Sequence, residues 1–381
     1  MRKVVFPMAA VVLLFVSCNQ PMDVLPPPIL NQRTEALAII ADPKIDLRVS
    51  DPAFEDMTAQ VVYSDGAVQE ESLLSLLSDS SVFETAGVKQ LELKKDSATA
   101  SVELFVYDST LSELQESMGE KIDAADYASL ATLCQDKFIL VDDASLAGGP
   151  VTVMGDYSSI PVFKNTYFRG HAGMDNLSFT GGEKAWDTMA DISADNITFD
   201  SLSIKLTDLR GSSSKPTITG IGITGENTII KDSSFANDVD NETKKFFGIN
   251  IATSTGKTEI SDVSLTGFDV ALAVESGEAE VKDVTFDGVI AFKIDDVSDF
   301  SNISLSGCKA LNDHSSTEYD VIIVGTDEVV GSGVKEADAW VKQMEALNPG
   351  LVFGRAKTLE VGGAEIEGWE PVDGGEVDAG M

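Results

Sequence analysis

A short phrase returns six times between residues 176 and 307: Asn or Asp, an aliphatic residue, Ser or Thr, Phe or Leu, any residue, and often Gly. The copies begin at Asn176, Asn196, Asp232, Asp262, Asp283 and Asn302. Each joins a bend residue that tolerates left-handed backbone to a strand with apolar residues two apart. A unit this small cannot bury its apolar face alone, so successive copies must stack on one another. In the coil after Leu265, residues 270–274 read as one strand, 275–277 as a turn, 279–281 as a second strand, Asp283 as a bend and 284–286 as a third strand. Roughly seven coils at ~4.8 Å each would make a rod about 30–35 Å long. The copies are expected to be equivalent rungs of one ladder, with Val263, Val284 and Ile303 lying above one another.

The segments outside the repeat divide the 381-residue chain further. Residues 36–108 alternate strand-like runs with turn signals at Ser64-Asp65-Gly66 and Lys95-Asp96-Ser97, the pattern of a small antiparallel sandwich. Residues 109–137 read as a helical linker and N-terminal cap, with Ser112 as the helix cap, Leu114, Met118 and Ile122 on one face, and a second helix from Ala125 to Leu133. Such a cap would cover the first strand edge of the stack, which spans residues 138–325. Residues 326–361 read as a C-terminal cap. In it Val334 to Leu347 is an amphipathic helix that places Ala337, Trp340, Val341 and Met344 in the core, and Leu351 to Phe353 is a strand. Residues 362–381 are Gly- and acid-rich, the composition of a flexible tail. The fold class is therefore all-β with small helical caps.

The formal net charge is −36, from 63 acidic and 27 basic residues. Such a surface repels nucleic acid, anionic lipid and uronic-acid polymers unless a cation bridges the contact. At the N-terminus, Arg2 and Lys3 precede an apolar run, Val4 to Val16, that is too short to span a bilayer. The run ends Leu14-Phe15-Val16-Ser17-Cys18 and resembles the lipobox of bacterial lipoproteins, with Phe15 where Leu is usual. The resemblance implies a signal peptide over residues 1–17, lipidation of Cys18, and attachment to a membrane of the bacterial cell envelope, at the outer membrane or cell surface. Residues 18–35 then form a tether that Pro26-Pro27-Pro28 keeps extended. Cys134 and Cys308 remain. A disulfide between them is compatible with an oxidising compartment. Cys308, however, aligns with Phe268 and Val289 as a buried filler, which favours a free thiol.

The stretch from Ala59 to Asp108 resembles bacterial Ig-like domains, through its Tyr-Ser-Asp-Gly hairpin and final alternating strand. That resemblance implies a spacer or adhesive stalk without catalytic residues. Residues 138–325 resemble right-handed parallel β-helix proteins of the pectate-lyase-like type. Many of these cleave or bind polysaccharides on the outward face of one sheet and its flanking loops. Here that outward row reads Phe246, Gly248 and Asn250, then Ala271 and Ala273, then Ala291 and Lys293, with Lys293 solvated. The row lacks the paired carboxylates of a hydrolase and the cation-binding acids and base of a lyase. Asp187 is the one carboxylate placed near an equivalent strand.

The candidate ligand-binding residues sit mostly on loops. Asn237, Asp238, Asp240, Asn241 and Glu242 present alternating oxygen donors that suit Ca²⁺ without forming an EF-hand. Asp208 and Arg210 flank a serine-rich loop able to hydrogen-bond a sugar. His171 and His314 lack the neighbours zinc requires. The expectation is an envelope-anchored, non-enzymatic lipoprotein that binds glycan or a surface protein in the manner of an adhesin, with no required cofactor. The alternative is a polysaccharide lyase or glycoside hydrolase, with Ca²⁺ as its cofactor.

Overall fold

The computed structural model describes residues 34–79, 81–117, 134, 136–142, 151–155, 166–170, 177–181, 188–192, 195–208, 217–237, 245–295, 300–311, 319–325, 335–356 and 367–368. The expected signal peptide, lipidation at Cys18, most of the tether, the helix from Ala125 to Leu133, both histidines and most of the C-terminal tail lie outside these residues.

The first domain packs two three-stranded sheets against each other. One pairs Thr58–Tyr63 with Ala36–Ile40 on one side and Val68–Ser72 on the other, all antiparallel. The other holds Ala98–Tyr107 between Gly87–Lys95, antiparallel, and Lys44–Arg48, parallel. The expected sandwich is thus mixed rather than wholly antiparallel. Alternation is the cause of the packing: Ala59 and Val61 point inward to meet Leu91, Leu93, Val102 and Leu104 in one core. Both expected turns are present. Gly66 and Asp96 take left-handed backbone there, at φ 84° and 50°.

Beyond residue 107 the strands form a 19-stranded sheet that is parallel almost throughout. The chain passes repeatedly through three ladders in a fixed order. The first ladder stacks Phe138–Val141, Tyr167–Gly170, Thr198–Asp200, Thr228–Lys231, residues 258–261, residues 279–282 and Ile303–Ser306, seven strands in all. The second stacks Val151–Gly155, Leu177–Gly181, Ser203–Asp208, Ser234–Asn237, residues 264–266, residues 285–287 and Lys309–Ala310. The third runs from Thr188–Ile192 through Thr217–Ile223 and residues 245–251, 268–274 and 288–295 to Val321–Val324 and Phe353–Ala356.

Register keeps one apolar column inside each ladder. In the first, Ile139, Phe168, Phe199, Ile230, Ile260, Val281 and Leu305 succeed one another. In the second the column is Ile204, Phe235, Leu265, Phe286 and Ala310. A one-residue slip would turn such a column outward, so the apolar pattern itself enforces the register.

The six phrases prove to be of two kinds. Asn176, Asp232, Asp262 and Asp283 precede second-ladder strands, whereas Asn196 and Asn302 precede first-ladder strands. Val263 and Val284 do stack, as the bond from Thr285 N–H to Val263 O at 2.9 Å shows. Ile303 does not join them; it pairs with Ala279 in the first ladder. Cys308 takes the third place, since Lys309 N–H donates to Val284 O at 2.9 Å. Cys308 therefore aligns with Val263 and Val284 rather than with Phe268 and Val289. Two bends per coil call for left-handed residues, so both attract Asn and Asp and look alike locally.

The C-terminal end is closed by the helix Lys335–Leu347, with Ala337, Trp340, Val341 and Met344 buried as expected. Its side chains satisfy the last rung directly. Trp340 Nε1–H donates to Ile303 O at 2.7 Å, and Leu305 N–H lies 3.2 Å from Met344 Sδ. Asn348, fully buried, donates to Leu305 O at 3.0 Å and accepts from Cys308 N–H at 2.9 Å. At the other end, Ser109–Thr110 pairs with Ile139 and Leu140, and the helix Leu111–Glu116 follows. That helix is capped by Thr110, not Ser112. Thr110 Oγ1 accepts from Glu113 N–H and the Glu113 carboxylate accepts from Thr110 N–H, both at 3.3 Å. Ser112 instead bonds Asp142.

Trp340→Ala removes both a buried ring and the donor on Ile303 O. It should cost about 3–5 kcal/mol in urea unfolding of the full chain. Trp340→Phe, which keeps most of the ring, should cost less than half of that.

Candidate functional site

Bends between the first and second ladders fall in one column: Ser201, Asp232, Asp262, Asp283 and Gly307. All five have positive φ, from 50° to 66°. Asp and Ser suit the position because a short polar side chain tolerates left-handed backbone. Gly307 must be Gly for a second reason, since a Cβ there would sit 2.1 Å from the Asp283 carboxylate. Stacking the bends stacks their side chains, so three exposed carboxylates follow one another along the surface. Two residues on, Ser203, Ser234, Ser264 and Thr285 form a parallel row of half-buried hydroxyls. Ser234 and Ser203 are already within 3.2 Å of each other. Between the rows lies a groove of about 690 Å³, lined by Ser201, Ser203, Asp232, Ser234, Asp262, Ser264, Asp283 and Thr285. Chemically it offers a run of neutral donor–acceptors beside a run of acceptors.

One end of the groove is fixed to the first domain. Lys44 of that domain pairs with Asp232 at 2.9 Å. Ser201 donates to Asp200 Oδ1 at 2.8 Å. Asp200 is fully buried and also accepts from Tyr167 Oη at 2.5 Å and pairs with Lys231 at 3.2 Å. Burial alone would push the Asp200 carboxyl up, but the Tyr167 hydrogen bond, the Lys231 charge, Ser201 and Arg169 together hold it below the usual range. Burial, and then the bond to Asp200, push the Tyr167 phenol up.

Arg169, only 2% exposed, lies where the domains meet. It pairs with Glu103 at 2.8 Å and Asp46 at 3.2 Å, and its guanidinium sits 5.1 Å from the Phe105 ring centre. Phe105 in turn packs with Phe138 and Tyr167, the three ring centroids 5.3–6.2 Å apart. Arg48 and Glu113 add a bidentate pair at 2.8 and 2.9 Å. The expected reading assigned no role to Arg169, and nothing local marks it in sequence. Its partners lie 66 and 123 positions earlier in the chain.

The outward row of the third ladder differs from expectation in part: Asn250, Ala273 and Lys293 do share one outward register row. Phe246, Ala271 and Ala291 point into the bore, and Phe247, Val270, Ala273 and Ile290 point out. Neighbours Ala271 and Leu272 both belong to the bore, which a flat strand does not permit. Alternation is broken there, so a strict period-two reading of the sequence puts Phe246, Ala271 and Ala291 on the wrong face. Lys293 is not solvated: it is nearly buried, pairs with Asp295 at 2.5 Å and lies 5.6 Å from the Phe247 ring centre. Asn250 does face outward and donates to Glu275 at 3.0 Å.

Among the other expected site residues, Asn237 ends a second-ladder strand and donates to Gly267 O at 3.0 Å, tying two coils together. Asp208 ends another, paired with Thr180 through the backbone. Asp187, Arg210, Asp238, Asp240, Asn241 and Glu242 lie outside the described residues. Among the described residues, no group of three His, Cys, Asp or Glu is disposed to hold a metal ion, and no helix is long and apolar enough to cross a membrane. The groove went unread because its members were taken as turn and strand residues of separate coils. Its signal was present in the recurring Asp-x-Ser/Thr at Asp232, Asp262 and Asp283.

Cys134 and Cys308 are free, buried thiols, as expected for Cys308. Burial raises them to about 12 and about 11. Neither should react with a maleimide in the native chain at neutral pH, and both should react in urea. Asp200 has a folded pKa below its unfolded value near 3.8, so its contribution is present above that value and lost as pH falls through the folded one. Asp200→Asn should flatten the acid limb of the stability–pH curve. Arg169→Met leaves Asp46 and Glu103 facing each other and should cost about 3 kcal/mol in urea unfolding. Comparison of the chain with protein-family models, with curated proteins and with solved structures finds no match in any of the three.

Proposed function

We propose that the chain is an envelope lipoprotein, held by acyl chains on Cys18, in which an Ig-like domain carries a right-handed parallel β-helix whose side binds glycan without cleaving it. The groove between the Asp and Ser/Thr rows is the observation that carries this reading. Sugar hydroxyls are donors and acceptors at once. Half-buried Ser203, Ser234, Ser264 and Thr285 can serve them in either sense, while exposed Asp232, Asp262 and Asp283 accept from vicinal diols. The rung repeat of ~4.8 Å presents the same pair of groups at each step, which suits an extended, repeating ligand. The charge of −36 selects against anionic polymers, so neutral or amino sugars fit best.

The lipobox at Leu14 to Cys18 and the Pro-rich tether support the anchored placement. Lys44 on Asp232 and Arg169 at the junction support a stalk and binding side that move together. No catalytic step enters this reading, since the described outward row of the third ladder holds Lys293 in a pair with Asp295 and Asn250 on Glu275.

The test is a glycan array probed with the mature chain, followed by titration of any hit. Neutral or amino-sugar oligomers should bind, and Asp262→Ala with Ser264→Ala should weaken binding by about tenfold or more, the equivalent of one or two lost hydrogen bonds. Binding that survives both substitutions would move the site away from the groove. An array with no hits would leave a structural envelope component, and product release from any hit would make the chain an enzyme.

A further inference from the structure

Three of the large apolar side chains that the described residues leave exposed lie on one sheet of the first domain: Leu37 at 63%, Ile40 at 56% and Val68 at 57%. Register places them together. Ala38, Val62 and Val68 form one cross-strand row, and Ile40 stands two residues along on the same outer face, across from Gln60. Their neighbours Ala36, Ile39 and Val61 point the other way, into the core, so this outer set is not spare core surface. Leu37 sits at the register shift between Ala36 and Ala38 and also faces out. The strand Ala36–Ile40 is the edge of its sheet and carries no charged residue. A solvent-facing edge strand ordinarily carries Lys, Pro or inward charge.

This patch stands at the root of the tether. Residue 36 follows Cys18 by eighteen positions, a reach of at most about 60 Å. An attachment this short raises the local concentration of the bilayer surface to the point where a weak contact suffices. The residues across from Ile40 are Gln60 and Glu70, and none of the outer set is basic, so attraction to anionic headgroups plays no part. We propose that the outer face formed by Leu37, Ala38, Ile40, Val62 and Val68 rests on the lipid surface that holds the anchor, which orients the first domain and, through Arg169, the groove beyond it. This rests on the lipoprotein reading of Cys18.

The experiment uses the full lipidated chain in phosphatidylcholine vesicles, with a nitroxide on Val68→Cys. Cys134 and Cys308 are buried and stay unlabelled. Relaxation by oxygen should exceed relaxation by a water-soluble nickel chelate when the protein is on vesicles, and the order should reverse for the same labelled chain made without acyl groups as Cys18→Ser. Leu37→Asp with Ile40→Asp, both surface changes, should leave flotation with vesicles intact and abolish the lipid signature. A label that stays water-accessible on floated, lipidated protein overturns the contact while the anchor stands. Protection that grows with protein density at fixed lipid assigns the face to a second copy and also overturns it. Mass spectrometry showing Cys18 without acyl chains overturns anchor and contact together.

Discussion

A stack of parallel strands leaves a row of unpaired peptide groups at each end, and the organisation of this chain follows from how those groups are met. Within the stack every rung is served by its neighbours. At the C-terminal end, no further strand among the described residues continues the first ladder. There, Trp340 and Met344 of one helix, and Asn348 just after it, reach Ile303, Leu305 and Cys308 and stand in for the missing rung. At the N-terminal end Ser109–Thr110 pairs with the first rung. It follows the last strand of the first domain after a single residue, Asp108. The first domain is therefore fused to the stack by backbone pairing as well as by side chains.

The junction is the second consequence. A charge as buried as Arg169 persists only where carboxylates and a ring face compensate its lost hydration. Asp46, Glu103 and Phe105 supply both from the first domain. Ser201 and Lys44 then link that network to the groove, so the candidate binding side begins where the two domains are locked.

The stacked architecture was legible in sequence because it is written in local terms: alternating apolar residues, Asp and Asn at left-handed bends, and an amphipathic helix with Trp340 on its inner face. What the sequence left ambiguous were features that depend on three dimensions. Asn196 and Asp232 obey the same bend chemistry yet serve different corners, and only pairing tells them apart. The break in alternation around Ala271 and Leu272, both in the main core, and the inward Phe246 beside the outward Phe247 are features that a period-two reading cannot foresee. Arg169 carries no local mark in the sequence and is a buried bridge to a distant domain. The groove was hidden for the same reason, because its Ser, Thr and Asp residues become one surface only once the register is known.

The central claim is that register, and it can be trapped covalently. On a Cys308→Ser background, V263C/V284C should form an intramolecular disulfide on mild oxidation, because the two positions occupy adjacent rungs of one column at a separation a disulfide spans. V284C/I303C on the same background should keep both introduced thiols free, beside Cys134, while remaining folded. A cross-link in the second variant and none in the first would contradict the three-ladder arrangement, and with it the rows that line the groove.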